Sequence, residues 1–182
     1  IPPAQPAACP QPSVPDACTV KLDLYIQKTL TSGTRRFTLS VQLQSEHQRI
    51  VIVGASGSGK SLTLQALAGL LRPDSGHIRL DGDTLFNAAQ NIWLLAQERR
   101  LAYVFQDYAL FPHLTVYQNV AFALGTGWRN PPRHAQPAQW PASVARWLDI
   151  FGLAPLAGQY PSELSGGQRQ RTALARALVT EP

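Results

Sequence analysis

The 182-residue sequence contains no methionine, not even at its first position, which is Ile1. A chain that starts without an initiator and carries no methionine later is expected to be a fragment or processed piece of something longer. Cysteine is scarce. Cys9 and Cys18 both lie near the start, where one bridge could not organise a core of this size, so two incidental thiols in a reducing compartment are expected. Charge is also sparse, at 15% of residues, with 16 Lys and Arg against 11 Asp and Glu. The net charge of +5 favours anionic ligands, but the basic residues are dispersed and form no stripe, so no nucleic-acid partner is expected. No run approaches the ~18 apolar residues that span a bilayer, and no basic segment leads into an apolar one as in a secretory signal. What remains is 45% hydrophobic residues in one domain's worth of chain, enough to bury a core.

Residues 1–17 hold six prolines and almost no charge, so residues 1–18 are expected to form a linker or disordered start, with a folded domain over 19–182. Val20 to Ile26 and Phe37 to Leu43 alternate apolar and polar as half-buried strands do. The intervening Thr31-Ser32-Gly33-Thr34 supplies a turn, which makes the pair a hairpin. Ile50-Val51-Ile52-Val53 is a continuous β-branched run and predicts a strand buried on both faces of a parallel sheet. Helical spacing follows from Ser61 to Leu71 and stops at Pro73. Short strands are expected at His77–Leu80 and Thr84–Phe86, around Asp81-Gly82, and another buried strand at Leu101–Phe105. Beyond Gln106, Thr115–Leu124, Ala142–Phe151 and Gly167–Leu178 read as helices, with a Pro-, Trp- and Gly-rich loop from Gly125 to Pro141. An α/β core therefore hands over to a helical section.

The strongest local signal is Gly54-Ala55-Ser56-Gly57-Ser58-Gly59-Lys60-Ser61, which fits G-x-x-x-x-G-K-[ST]. Backbone N–H groups converge on phosphate oxygens only if the loop curls tightly, and glycine permits the required dihedrals. A helix starting near Lys60 would aim its positive dipole end at the anion. Lys60 would reach the β- and γ-phosphates, and the Ser61 hydroxyl would ligate Mg²⁺. A second glycine motif, Leu164-Ser165-Gly166-Gly167-Gln168, also precedes a helix; alone it would read as an ordinary cap. Between the two lies Val104-Phe105-Gln106-Asp107, with Leu110-Phe111-Pro112-His113 close behind.

This combination resembles the ATP-binding-cassette (ABC) transporter ATPases over residues 20–182. The first motif looks like their Walker A loop, Gln106 like the Q-loop glutamine, and Leu164 to Gln168 like the signature motif. Leu71-Arg72-Pro73-Asp74-Ser75-Gly76 resembles the family's turn after the P-loop helix. The resemblance implies an α/β P-loop NTPase core with an antiparallel β hairpin and a helical subdomain over about 107–165, incomplete at the C-terminus. It implies ATP and Mg²⁺ as ligands. A second cassette would form a homodimer in which Gly54 to Ser61 of one copy face Ser165, Gly166, Gly167 and Gln168 of the other. Gln106 and Lys60 would be the catalytic side chains, with Ser61 and Gln106 on Mg²⁺. Transmembrane permease subunits would dock on the helical section, Tyr108 and Phe111 being candidates either for that surface or for ordinary core packing. A periplasmic binding protein would act through the permease, and the cassette would sit peripherally on the cytoplasmic face of the bacterial inner membrane.

Glu98 to Gln106 and Phe111 to Val116 look like oxyanion-importer ATPases, most like the molybdate importers, although sulfate/thiosulfate, polyamine and iron importers share much of this text. Two departures qualify the picture. The chain ends at Thr180-Glu181-Pro182, before the place of the family's Walker B strand with its Mg²⁺-binding aspartate and catalytic glutamate. Asp81, Asp83 and Asp107 lie in turns or loops and offer no substitute, so the 182 residues alone are expected to bind nucleotide weakly and turn it over poorly. Neither Tyr25 nor Phe37 falls where the family stacks adenine, and that contact stays unassigned. The readings other than a transport ATPase are a soluble cassette acting on DNA or ribosomes and a nucleotide-binding remnant without hydrolysis.

Overall fold

The computed structural model describes residues 21–33, 35–125, 130–132 and 135–182. The expected linker, both cysteines and part of the Pro-rich loop lie outside the described residues. The chain divides into two compact units, Ile1–Leu95 and Ala96–Pro182.

The first unit is built on an antiparallel sheet of order β2-β1-β3-β4-β5. Its strands are β1 (Leu22–Ser32), β2 (Arg35–Ser45), β3 (Ser75–Leu80), β4 (Asp83–Asn87) and β5 (Ile92–Trp93). The expected hairpin is present and tighter than its sequence suggested. Ser32 pairs directly with Arg35, and Gly33 takes the left-handed φ of 59° that the reversal requires. The alternation in β1 sends Leu22, Leu24 and Ile26 inward, where Ile78 and Phe86 join them in the core. Full burial of each such side chain contributes roughly 1.5–3 kcal/mol. Leu24 is flanked by Leu43 on one side and Ile78 on the other, so both neighbours share its inward face. β5 had no strand signal of its own; Trp93 makes an edge-to-face contact with Phe86, ring centroids 5.8 Å apart, which fixes it to β4.

Two expected strands are absent. Ile50–Val53 joins no ladder, and Val51 and Val53 are 82% and 84% exposed. Leu101–Phe105 also lacks strand pairing, although Tyr103 and Phe105 share a side with rings 4.7 Å apart, as i and i+2 do in extended backbone. Composition makes a segment suitable for a strand, but a ladder needs a neighbour's N–H and C=O groups, and none among the described residues pairs with either segment. Asp83, expected in a loop, opens β4.

The first helix, α1 (Lys60–Leu67), stops earlier than Pro73. Gly69, at φ 81°, ends it: Leu70 N–H donates to Gln65 C=O and Gly69 N–H to Ala66 C=O, satisfying carbonyls that the helix leaves free. The second unit packs α2 (Val116–Phe122), α3 (Ala142–Ile150) and α4 (Gly166–Leu178) around Val116, Val120, Val144, Leu148 and Ala175. Thr115 and Gln118 form a reciprocal capping box at the start of α2. Gly152, at φ 63°, closes α3 with the same two-bond pattern seen at Gly69.

Candidate functional site

The Gly54–Ser61 segment is a curled loop that delivers the chain into α1. Gly57 and Gly59 hold φ of 78° and 94°, conformations that a side chain resists. Ser58 N–H closes a turn on Ala55 C=O at 3.3 Å, and a Cβ on Gly54 would meet Ser58 Oγ at 2.9 Å. Lys60 folds back over this loop, its Nζ donating to Gly54 C=O at 2.9 Å and Ala55 C=O at 2.7 Å. The ammonium thus lies over the concavity expected to take phosphate. The N-cap Gly59 supplies no side-chain bond and the first turn carries no acidic residue, so the first N–H groups of α1 are left for an anion. Ser61 occupies the second helical position, and Ser56 is exposed on the loop.

The hairpin supports the loop through a contact that the sequence did not announce. A Cβ on Gly59 would come within 2.4 Å of Leu39 Cδ1 and 3.4 Å of Phe37 Cζ, so β2 presses directly on the last glycine of the loop. Leu39 is buried as part of the strand pattern, and periodicity alone could not show what it touches. Of the two aromatics considered for adenine, Phe37 lies beside the loop, whereas Tyr25 is turned toward His77, ring centroids 6.3 Å apart. An apolar hollow of about 450 Å³ adjoins the loop, lined by Val41, Leu43 and the unpaired Ile50–Val53.

The second motif belongs to the second unit. Ser165 caps α4: its Oγ accepts from Gln168 N–H at 3.3 Å, and Gln168 Oε1 accepts from Ser165 N–H at 2.7 Å. Each side chain thereby accepts from the other residue's backbone N–H, which leaves the Gly166 and Gly167 N–H groups at the helix terminus. Neither glycine has a left-handed φ, and a Cβ on either would meet nothing within 4 Å. The fold of this chain therefore gives no reason for glycine at these two positions.

Gln106 also lies in the second unit, at the first central position of a turn closed by Tyr108 N–H on Phe105 C=O at 3.0 Å. Gln106 and Asp107 are exposed on that turn. Of the two readings open for Tyr108 and Phe111, a docking surface or core packing, their half-burial favours packing. Phe111 packs on Phe122 with centroids 4.6 Å apart, and the Arg176 guanidinium lies 5.4 Å from its ring centre. The exposed apolar side chains of this unit include Phe122, Leu124 and Ile150.

Sequence reasoning missed the two polar residues that organise this region. Asn119, fully buried, accepts from Phe111 N–H at 2.9 Å and donates to Phe111, Leu114 and Thr115 carbonyls at 3.2, 2.9 and 3.0 Å. Arg176 donates to Ala109 C=O at 2.8 Å and Tyr108 C=O at 2.9 Å, and burial lowers its pKa. Burial likewise pushes Arg99 down to about 10. A buried Asn or a helical Arg carries no local motif; only its partners reveal it. Among the described residues no group of three or more His, Cys, Asp and Glu could hold a metal ion. No described helix is long and apolar enough to cross a membrane.

The sequence profile of the ABC transporter family matches residues 38–182. Sulfate/thiosulfate import ATP-binding protein CysA of Escherichia coli K12 is 45% identical over 137 residues, covering 74% of this chain and 35% of its own. The protein of the same name from Gloeobacter violaceus is 49% identical over 133 residues, covering 73% and 35%. The chain thus spans about a third of the length of the curated relatives it matches. These relatives are named for sulfate and thiosulfate, so the finer expectation of molybdate is not what they support. In structure the chain resembles the dimeric ATP-binding cassette MJ0796 captured after hydrolysis with ADP and Pi, with a TM-score of 0.66 and 29% identity over 90% of this chain and 70% of that one. A further dimeric structure of the same bacterial cassette gives 0.65 and 30% over the same shares. The fold is that of an ABC ATPase cassette, and the chain belongs to the ABC transporter family.

Proposed function

We propose that this chain is the nucleotide-binding part of an ABC importer ATPase that energises uptake of an oxyanion, sulfate or thiosulfate in preference to molybdate. The observation that carries the nucleotide reading is the Gly54–Ser61 loop with the Lys60 ammonium held on two of its own carbonyls. A triphosphate would replace those two carbonyls with oxygens of full negative charge, which make stronger hydrogen bonds. Loop N–H groups from Gly54 to Gly59 and the start of α1 would bind the phosphates, and Lys60 would follow the charge that develops on the γ-phosphate. The Ser61 hydroxyl and Gln106 carboxamide would hold Mg²⁺, which supplies charge neutralisation on the phosphate oxygens when bound. Gln106 would also orient the attacking water.

Gly166 and Gly167 support a partner cassette. Their bare surface is unexplained within the chain and suits the close approach of a second copy's nucleotide to the N-terminus of α4. Residues 19–182 would form the nucleotide-binding domain, with the helical subdomain near 107–165 docking transmembrane permease subunits at the cytoplasmic face of the inner membrane. A periplasmic binding protein would deliver the anion through that permease. The preference for sulfate or thiosulfate rests on the names of the relatives, since the cassette itself would not touch the transported ion.

The test is Mg²⁺-dependent ATP binding and turnover by the full-length protein and its Lys60→Ala variant. Loss of a charged hydrogen-bonding group should weaken ATP binding at least about tenfold. No saturable ATP binding by the wild type would overturn the reading. Uptake of labelled sulfate and molybdate by cells carrying the intact transporter would decide the ion, and molybdate uptake alone would return that assignment to molybdate.

A further inference from the structure

The second unit contains a joint that the proposed chemistry does not yet use. Tyr108 and Ala109 stand consecutively in the left-handed region, at φ 66° and 43°. Each costs on the order of 1–2 kcal/mol for a residue with a Cβ, and such strain persists only where the surroundings impose it. One side chain holds both residues: Arg176, in the last turn of α4, donates one N–H to Ala109 C=O at 2.8 Å and another to Tyr108 C=O at 2.9 Å. The planar guanidinium spans both carbonyls as a fork, a geometry that an ammonium cannot reproduce. The guanidinium carbon also lies 5.4 Å from the centre of the ring of Phe111, whose backbone N–H and C=O are both held by Asn119. Immediately upstream of the clamped pair lies the Phe105–Tyr108 turn that carries Gln106. At the other end of the same helix lie the Ser165 cap and the two exposed glycines, about ten residues and three turns away.

We propose that Arg176 is a positioning residue that fixes Gln106 by clamping the strained Tyr108–Ala109 backbone, and that α4 thereby ties the orientation of Gln106 to the helix terminus at Gly166–Gly167. This deepens the reading of Gln106 above and rests on it. Arg176 acts through the turn, by its bonds to the Tyr108 and Ala109 carbonyls. Releasing the clamp lets Tyr108 and Ala109 relax toward ordinary dihedrals, and the turn carrying Gln106 moves with them. Affinity for ATP without Mg²⁺, which resides in the Gly54–Ser61 loop, is not altered.

The experiment compares wild type, Arg176→Gln, Arg176→Lys, Gln106→Ala, Gln106→Ala/Arg176→Gln and Arg176→Gln/Ala109→Gly in the full-length protein. A misplacement of this kind costs about tenfold to a hundredfold in kcat. Arg176→Gln should show that loss with the Kd for ATP in the absence of Mg²⁺ within about twofold of wild type, and Arg176→Lys should recover only part of the lost activity. In the Gln106→Ala background Arg176→Gln should cost nothing further, because both changes remove the same contribution. Ala109→Gly should restore part of the activity of Arg176→Gln, since glycine holds the left-handed conformation without a clamp. Mapping of chymotryptic cuts should show faster cleavage after Tyr108 in Arg176→Gln than in wild type, a local readout that needs no turnover. Wild-type kcat in Arg176→Gln, an additive loss with Gln106→Ala, or unchanged cleavage after Tyr108 would each overturn the proposal while leaving the ATPase reading standing. A wild type that neither binds nor hydrolyses ATP would overturn both.

Discussion

Asn119→Ala is the substitution whose cost can be worked most directly from the structure. The side chain is fully buried and makes four hydrogen bonds, one accepted and three donated. Two of its partners have other bonds: Phe111 C=O also accepts from Leu114 N–H, and Thr115 C=O from Asn119 N–H. Those two losses cost little. Phe111 N–H and Leu114 C=O lose the bond they take from this side chain, and a buried polar group left without a partner costs about 1–3 kcal/mol. Taking the low part of that range for the half-buried Phe111 and the middle for Leu114 gives about 3 kcal/mol. For a chain of this length that corresponds to a fall in Tm of roughly 6–12 °C. Urea denaturation of the full-length protein, followed by tryptophan fluorescence, measures the difference through the midpoint at constant slope. Asn119→Asp adds a sharper check. It keeps an acceptor for Phe111 N–H but places a carboxylate against three carbonyl oxygens, so it should be at least as destabilising as alanine at neutral pH. A loss below about 1 kcal/mol for alanine, or an aspartate variant milder than alanine, would refute the reasoning.

Other outcomes follow from the same structure. Gly76→Ala places a Cβ 1.9 Å from Tyr25 C=O at a residue with φ 101°, so β1 and β3 cannot keep their register; a loss of at least about 3 kcal/mol or failure to recover soluble protein is expected, and wild-type solubility and Tm would contradict it. Asp74 accepts from Lys28 Nζ at 2.6 Å and Thr29 N–H at 2.8 Å, and these bonds hold its pKa below the ordinary value of 3.8. Its contribution is therefore present above pH 3.8 and is lost as pH falls through the lower folded value, so the Tm gap between wild type and Asp74→Asn should exist at pH 7 and close in acid; a gap that widens in acid would reverse the sign. ATP with Mg²⁺ should raise the Tm of the wild type and leave that of Lys60→Ala little changed, as mass action requires of a ligand bound only by the folded loop; equal shifts would remove Lys60 from the site.

Much of the local structure is determined by the sequence because its causes lie within a few residues. The alternation of Leu22, Leu24 and Ile26 sets one face of β1, and Gly57 and Gly59 permit the curl that brings Lys60 over the loop. Ser165 and Gln168, three apart, cap α4 reciprocally. The tertiary structure decided what depends on partners distant in sequence. Ile50–Val53 has a strand's composition and no ladder, because pairing is contributed by a neighbour and not by the segment itself. The sequence leaves Phe111 open as a surface or a core aromatic; Asn119, Phe122 and Arg176 hold it inward, with Arg176 lying 65 positions away in the chain. Leu39 reads as one more buried strand residue until the hairpin lays it against Gly59. A motif records the groups that meet a ligand, since these lie close together in sequence. The residues that hold those groups in place are chosen by packing, which a linear pattern does not record.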